Sequence, residues 1–216
     1  MDEIPSVGDK IKQKVKAMFR YNEDFAERMP RTKATEITDT VAKAFKDIHG
    51  TMVKVLACGS YRRERPTCGS ITLLVTRTDD KPVKGMLEPV LVNLEKSGFL
   101  HERFGSTSLD KKSADMFYGV CKSARDTCFR RISIRLYPKE QFAFATLFFT
   151  GSEYFTRSMK LLAEEKELKL TETGLVPMKG FFNLTGSKAI STLCETEMEI
   201  FKALGTPYRT PKERDI

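Results

Sequence analysis

Hydrophobic positions along the chain recur with two different periods, which predict an alternation of helices and strands. Within residues 34–48 the apolar side chains fall at the one-sided spacing of an amphipathic helix, at Ile37, Val41, Ala44, Phe45 and Ile48. Residues 83–97 repeat this spacing and end before Gly98, which predicts a second helix. Short apolar runs predict four strands, over residues 51–57, 71–76, 117–121 and 131–136.

The chain beyond Pro138 is dominated by helical spacing. The apolar run at residues 142–149 is far shorter than the ~20 residues of a membrane span, so it predicts a buried helix or strand. Residues 150–152 break the pattern, which restarts afterwards, and residues 173–187 indicate a hairpin or irregular strands. The whole pattern predicts an α+β fold, in which helices pack on a small mixed sheet.

Charge narrows the choice of partner. The 216 residues include 37 Lys and Arg against 29 Asp and Glu, a net charge of +8, which favours polyanions. A membrane-surface protein would need a long basic amphipathic helix with exposed aromatic residues, whereas this chain has no Trp and scatters its cations. We therefore expect nucleic acid as the partner and no membrane. Five cysteines without a C-x-x-C spacing predict reduced thiols in an intracellular compartment.

A candidate phosphate-binding turn lies between the first two predicted strands. It has the sequence Gly-Ser-Tyr-Arg-Arg at residues 59–63, and Cys-Gly-Ser at residues 68–70 opens the next strand. Backbone N–H groups at such a turn, with a hydroxyl and a guanidinium, can hold a phosphate. The candidate residues are Gly59, Ser60, Arg63 and Gly69. An ordinary turn that only shapes the fold remains the alternative.

Several motifs together resemble the family X DNA polymerases. Besides residues 59–63, they are Arg-Arg-Ile-Ser-Ile-Arg at 130–135, Phe-Phe-Thr-Gly-Ser at 148–152 and Pro-Tyr-Arg-Thr-Pro-Lys-Glu-Arg-Asp at 207–215. They occur in family order, and residues 24–31 add a further match. The resemblance implies a nucleotidyltransferase fold in three parts. These are a truncated helix-hairpin-helix-like segment at 1–30, a polymerase beta-like palm at 31–138 and a C-terminal nucleotide-selection subdomain, like the thumb or fingers, at 139–216.

The same resemblance exposes a loss of catalytic residues. In the family, Gly-Asp-x-Asp follows the turn and Arg-Arg-x-Asp lies on a later strand, and these carboxylates hold two magnesium ions. The matching positions here are Ser70, Thr72 and Ser133. Neutral hydroxyls cannot balance the charge of two Mg²⁺ ions, so we expect no catalytic residue, no metal site and no cofactor. Mg²⁺ would be needed only at a relocated site, for which Glu64, Asp79 and Asp80 are the nearest acids.

A second set of residues is expected to contact nucleic acid. Arg131, Ser133 and Arg135 share one strand face, which in the family looks toward the primer terminus; pairing with nearby acids is the alternative for its arginines. The resemblance also implies a cis peptide between Gly151 and Ser152. Phe148 replaces the family's Tyr, and Thr156 replaces its Asn. The expected contacts are Arg130, Arg131, Arg135, Phe148, Phe149, Gly151, Thr156, Arg157, Lys160, Lys10 and Lys12.

Three functions compete on these grounds. The leading hypothesis is a catalytically inactive family X homologue that binds DNA or structured RNA, or serves as a scaffold with other proteins of a nucleoprotein assembly. The second is a gap-filling DNA repair polymerase, a DNA-directed nucleotidyltransferase with a non-standard metal site. The third is a protein-interaction module whose charge serves solubility. The expected location is the nucleus or the mitochondrion.

Overall fold

The structure is a computed structural model that describes residues 16, 19–108, 115–124, 126–178 and 194–215. Its helices are α1 (Asn22–Ala26), α2 (Arg31–His49), α3 (Gly59–Arg62), α4 (Leu87–Lys96), α5 (Lys139–Thr150), α6 (Glu153–Glu164) and α7 (Glu197–Ala203). Its strands are β1 (Met29–Pro30), β2 (Val53–Ala57), β3 (Thr67–Cys68), β4 (Ile71–Arg77), β5 (Leu100–Ser108), β6 (Asp115–Cys121), β7 (Arg130–Leu136), β8 (Leu168–Leu170) and β9 (Leu175–Pro177). A short 3₁₀ turn, Lys212–Arg214, follows.

The central element is a five-stranded sheet with the order β2-β4-β7-β6-β5. Strands β4 and β7 pair in parallel, whereas the other neighbours are antiparallel. Strands β1 and β3 form a small separate ladder, as do β8 and β9. The sheet is therefore mixed, and the predicted α+β class is confirmed.

Helices α2 and α4 cover one face of this sheet and close the larger core. The buried residues of α2 are Ala34, Ile37, Val41, Ala44 and Phe45. The helix begins three residues earlier than its apolar spacing predicts because it follows directly on Pro30, whose fixed φ suits a helix start. Helix α4 begins later than predicted, since Gly85 has a φ of 79° that no helix accommodates.

The C-terminal residues build a second core from helices α5, α6 and α7 and strands β8 and β9. The apolar run at 142–149 is helical and largely buried, as predicted. Helix α5 ends at Gly151, with a φ of 67°, a conformation natural to glycine. The hydroxyl of Ser152 then accepts a hydrogen bond from the N–H of Phe155 and caps α6. The break predicted at residues 150–152 is thus a helix boundary.

A third, smaller cluster joins the two cores. It contains Cys58, Leu74, Tyr137, Phe142 and Ala145, so it packs the strand ends against α5. Burial raises the pKa of the Cys58 thiol to about 12, which keeps it uncharged. All five cysteines are unpaired thiols. Within the part of the chain that the structure describes, no helix has the length and apolar character to span a membrane.

Candidate functional site

The turn after strand β2 forms one wall of a cavity of about 350 Å³. Gly59 has a φ of 64°, in the left-handed region that favours glycine, and helix α3 begins there. The cavity is lined by Arg28, Gly59, Ser60, Arg63, Gly69, Ser70, Thr72, Tyr118 and Arg131. We call it the hydroxyl cavity. It collects all four predicted phosphate-binding residues and two of the three positions that match family carboxylates.

The third such position stands beside the cavity wall. Ser133 on β7 is the direct register partner of Thr72 on β4 and of Tyr118 on β6. Residues directly opposite one another on neighbouring strands point to the same face, so three hydroxyls form a row across the sheet. The hydroxyl of Ser133 accepts a hydrogen bond from Nε of Arg135 at 3.3 Å, which agrees with the predicted shared face. Tyr118 was not among the predicted site residues.

The residues present do not fit a pair of magnesium ions. Two adjacent Mg²⁺ ions require anionic oxygen ligands, but the cavity lining contains no Asp or Glu among the described residues. The acids considered for a relocated site are used elsewhere. Glu64 pairs with Lys212 at 3.6 Å, Asp79 with Arg77 at 2.5 Å and Asp80 with Lys139 at 2.9 Å. The described residues also contain no cluster of three His, Cys, Asp or Glu able to hold a metal.

Arg63 lines the cavity but is neutralised within the fold. Its Nε donates to Oδ1 of Asp215 at 3.0 Å, and its Nη1 donates to the carbonyl of Thr150 at 2.6 Å. Arg65 also pairs with Asp215. The predicted phosphate-binding role of Arg63 must therefore compete with an internal carboxylate.

Arg28 and Arg131 have no carboxylate partner among the described residues. Nη2 of Arg131 donates to the carbonyl of Gly69 at 3.1 Å, and its guanidinium lies 5.2 Å from the ring centroid of Phe25. The Nε of Arg131 is buried and has no hydrogen-bond partner among the described residues. Arg28 donates to the hydroxyl and the carbonyl of Thr67, at 2.8 and 2.9 Å. Arg28 belongs to the motif at residues 24–31 but was not among the predicted site residues, because it lies far from the turn along the chain.

Arg130 occupies a different environment from the one predicted. Its side chain lies on the opposite face of β7 from Arg131 and is 4% exposed. The guanidinium donates to the carbonyl and carboxylate of Glu27 and to the carboxylate of Asp126, at 2.9, 3.2 and 3.3 Å. All three of its nitrogens donate hydrogen bonds within the fold, so a contact between Arg130 and nucleic acid would have to displace Glu27 or Asp126.

A second cavity, of about 580 Å³, adjoins the first through their shared lining residue Arg63. It contains six predicted contacts: Phe148, Phe149, Gly151, Thr156, Arg157 and Lys160. We call it the aromatic cavity. Nζ of Lys160 lies 4.6 Å from the ring centroid of Phe148, a cation–π distance. The peptide bond between Gly151 and Ser152 is cis, as the resemblance implied. Lys10 and Lys12 lie outside the described residues.

A buried ion cluster connects the turn to the C-terminal residues. Glu197 is 8% exposed and accepts hydrogen bonds from both Nη atoms of Arg62, at 3.0 and 2.5 Å, and from Nη1 of Arg214 at 2.5 Å. Burial lowers the pKa of Arg62, but its hydrogen bonds to Glu197 outweigh this effect and leave the pKa raised. Arg214 stacks on Phe155, Phe201 and Tyr208. This cluster was not predicted, because no local sequence pattern links residues so far apart along the chain.

Comparisons with known proteins agree with this architecture. A family model described as DNA polymerase beta palm matches residues 28–139, and one described as DNA polymerase beta thumb matches residues 145–215. DNA polymerase lambda of Rattus norvegicus is 35% identical over 202 residues, which cover 91% of this chain and 35% of that protein. DNA polymerase lambda of Arabidopsis thaliana is 29% identical over 215 residues, which cover 96% of this chain and 40% of that protein.

Structural comparison supports the same fold. A crystal structure of Leishmania infantum polymerase beta in a ternary gap complex superimposes with a TM-score of 0.80 at 24% identity, covering 99% of this chain and 78% of that chain. The chain spans only 35–40% of the length of the two curated relatives. The mixed sheet with its parallel pair, the turn at Gly59 and the two matched domains lead to one assignment. This chain belongs to the family X DNA polymerases, with a palm and a thumb of the polymerase beta type.

Proposed function

We propose that the chain is a catalytically inactive family X DNA polymerase homologue that binds nucleic acid. One observation carries the proposal: Ser70, Thr72 and Ser133, which match the metal-holding carboxylates of the family, are all hydroxyl residues around one cavity. Hydroxyl oxygens are neutral, so they cannot balance two divalent cations at about 4 Å separation. The turn, the sheet and the thumb persist without the groups that would activate a primer hydroxyl.

The charge that remains supports a binding role. Five cations near the two cavities have no carboxylate within salt-bridge distance among the described residues; they are Arg28, Arg131, Arg135, Arg157 and Lys160. Guanidinium and ammonium groups that are not paired with an internal carboxylate are suited to phosphate oxygens. The binding partner we favour is DNA, since the Leishmania relative forms a gap complex. Structured RNA and other proteins of a nucleoprotein assembly are the further partners that we propose. The proposed compartment is the nucleus or the mitochondrion.

Family membership favours one alternative function, a gap-filling repair polymerase with a non-standard metal site. Primer extension separates the two. The purified chain is incubated with DNA containing a one-nucleotide gap, with all four deoxynucleoside triphosphates and with Mg²⁺ or Mn²⁺. We expect no extension above the level without protein, because no carboxylate lines the hydroxyl cavity. Template-directed incorporation well above that level would contradict the proposal and favour the polymerase.

A variant that restores the carboxylates provides the matched comparison. Ser70→Asp, Thr72→Asp and Ser133→Asp are combined in one protein, which tests whether the scaffold is otherwise competent. Extension by this variant, and not by the natural chain, would trace the loss of activity to these three positions. Electrophoretic shifts with gapped DNA, duplex DNA and structured RNA then rank the partners. Failure to shift any of them would contradict nucleic-acid binding and favour a protein-interaction module.

A further inference from the structure

Two uncompensated arginines converge on one point of the hydroxyl cavity. A Cβ built on Gly69 would lie 3.5 Å from Nη1 of Arg28 and 3.9 Å from Nη2 of Arg131. Two guanidiniums that reach toward the same point repel one another, and charges removed from water are ordinarily paired with a counter-ion. Among the described residues, no carboxylate lines this cavity or pairs with either arginine. The arrangement is one that a bound anion would stabilise.

The remaining lining supplies neutral hydrogen-bond donors. The side chains of Ser60, Ser70, Thr72 and Tyr118 each bring a hydroxyl to the cavity. Hydroxyls donate to phosphate oxygens without adding charge. The buried Nε of Arg131, which has no partner among the described residues, is a further donor without an acceptor. At positions where carboxylates would attract cations, this chain therefore presents donors and positive charge.

We infer that the hydroxyl cavity is a metal-independent binding site for a phosphomonoester. This inference rests on the proposed function, because a working two-metal site would need the same space. A phosphomonoester carries close to two negative charges at neutral pH, which Arg28 and Arg131 match. A triphosphate carries more charge than two guanidiniums balance, and Arg63 is already committed to Asp215.

The phosphate can come from a nucleic-acid strand end or from a free small molecule. The aromatic cavity shares the lining residue Arg63 with the hydroxyl cavity, so a nucleoside attached to the phosphate would extend toward a neighbouring cavity. Both sources share the same chemistry, a phosphate monoester dianion. The test therefore includes probes of each kind.

The experiment measures binding by fluorescence anisotropy in EDTA, with one labelled gapped duplex prepared in three forms. The primer ends in a 3′-hydroxyl, the primer ends in a 3′-phosphate, or the downstream strand carries a 5′-phosphate. Inorganic phosphate and a nucleoside monophosphate are used as competitors. We expect a phosphorylated end to bind at least tenfold more tightly than the hydroxyl end, with no further gain when Mg²⁺ is added. Competition by the nucleoside monophosphate, with no preference among the duplexes, would support the cavity with a free nucleotide as its ligand.

Two variants assign the effect to the cavity. Arg131→Gln removes one converging charge, and Thr72→Asp adds a negative charge without disturbing the packing of Arg131 on Phe25. Each should abolish the preference for a phosphorylated end. Thr40→Asp makes the same chemical change on an exposed position of α2 and should keep the preference. Thermal denaturation shows whether Arg131→Gln folds. If it does not fold, Thr72→Asp still tests the inference.

The outcomes separate this inference from the proposed function. Equal binding of all three duplexes, without competition by either small phosphate, would overturn the inference while leaving nucleic-acid binding intact. A preference that requires Mg²⁺ would overturn it as well. Primer extension by the natural chain would overturn the proposed function, and the metal-independent site with it.

Discussion

Glu197 carries one negative charge between Arg62, which is partly buried, and Arg214, which is fully buried. Arg214 is 0% exposed, and its guanidinium also stacks on Phe155, Phe201 and Tyr208. Arg62 belongs to helix α3 of the palm, whereas Glu197 and Arg214 belong to the thumb. Buried charges are costly unless they are paired. Glu197 therefore offsets the cost of burying arginine charge where the palm contacts the thumb.

Glu197→Gln tests this role. The amide keeps the shape of the side chain but removes its charge, which leaves the buried guanidinium of Arg214 and the partly buried guanidinium of Arg62 without this counter-ion. We expect the free energy of unfolding to fall by about 3–5 kcal/mol, the range for breaking a buried pair, as measured by urea denaturation. Glu164→Gln, on an exposed position of α6, should change stability by less than about 0.5 kcal/mol. Equal effects of the two substitutions would contradict the role assigned to Glu197.

The spacing of residues in the sequence predicted on which face of a strand a side chain lies, but not which groups the side chain contacts. Alternation on β7 correctly placed Arg131, Ser133 and Arg135 on one face. The same pattern could not reveal that Arg130 is neutralised, because Glu27 reaches it from 103 residues away. Ion pairs between distant residues depend on tertiary packing, which a local pattern does not contain.

At the scale of elements, the apolar stripe of α2 sets which side of the helix meets the sheet. Phe45 is 0% exposed in the palm core, whereas Ile48, which the same spacing places on the stripe, is 38% exposed. The two positions lie within one turn of each other near the end of the helix. They therefore separate the effect of burial from the effect of position along the helix.

Truncation of these two side chains gives a matched comparison. Phe45→Ala leaves a cavity in the core and should lower the free energy of unfolding by about 3–5 kcal/mol. Ile48→Ala removes an exposed side chain and improves helix propensity, so we expect a change within about 0.5 kcal/mol. Urea denaturation of both variants provides the measurement. A loss of 2 kcal/mol or more for Ile48→Ala would show that the side chain of Ile48 is buried in solution.

Sequence patterns predicted the strongly periodic elements, including the edge strand β2, and missed the strand at the other edge of the sheet. Strand β5 lies at that edge and follows the apolar Leu100 with His101, Glu102 and Arg103. Its pairing with β6 has register shifts, between Leu100 and Glu102 and between Arg103 and Gly105. Charged residues and bulges are common on edge strands, and they remove the alternation by which a strand is predicted.

At the scale of the whole molecule, the order of motifs along the chain predicted the family and the fold, because those motifs recur with fixed spacing. It did not predict how charge is distributed over the surface. Of the arginines in those motifs, Arg62, Arg63 and Arg130 are neutralised by internal carboxylates. The number of arginines in the motifs therefore overstates the charge that they offer to a partner. Arg28 and Arg131 line the hydroxyl cavity, Arg157 and Lys160 line the aromatic cavity, and Arg135 lies 4.5 Å from the ring centroid of Phe149; none of the five has a carboxylate partner among the described residues.

The dependence of DNA binding on salt concentration measures how many of these cations contact phosphates. Arg28, Arg131, Arg135, Arg157 and Lys160 can neutralise about five phosphates, and each releases close to one condensed counterion. We expect the logarithm of the association constant for gapped DNA to fall with the logarithm of salt concentration at a slope of about −4 to −5. Anisotropy titrations at four salt concentrations provide this slope, and binding that does not change with salt would contradict the electrostatic interface.

A paired substitution locates the charges that set the slope. Combining Arg157→Gln with Lys160→Gln removes two cations of the aromatic cavity and should make the slope shallower by about 2, because each lost phosphate contact contributes about −0.9. Lys43 is a matched control, since it is an exposed cation on α2 that already pairs with Asp47 at 2.5 Å. Lys43→Gln should leave the slope unchanged. If it instead reduced the slope as much as the double substitution does, DNA would respond to the overall charge of the protein and not to the cavities.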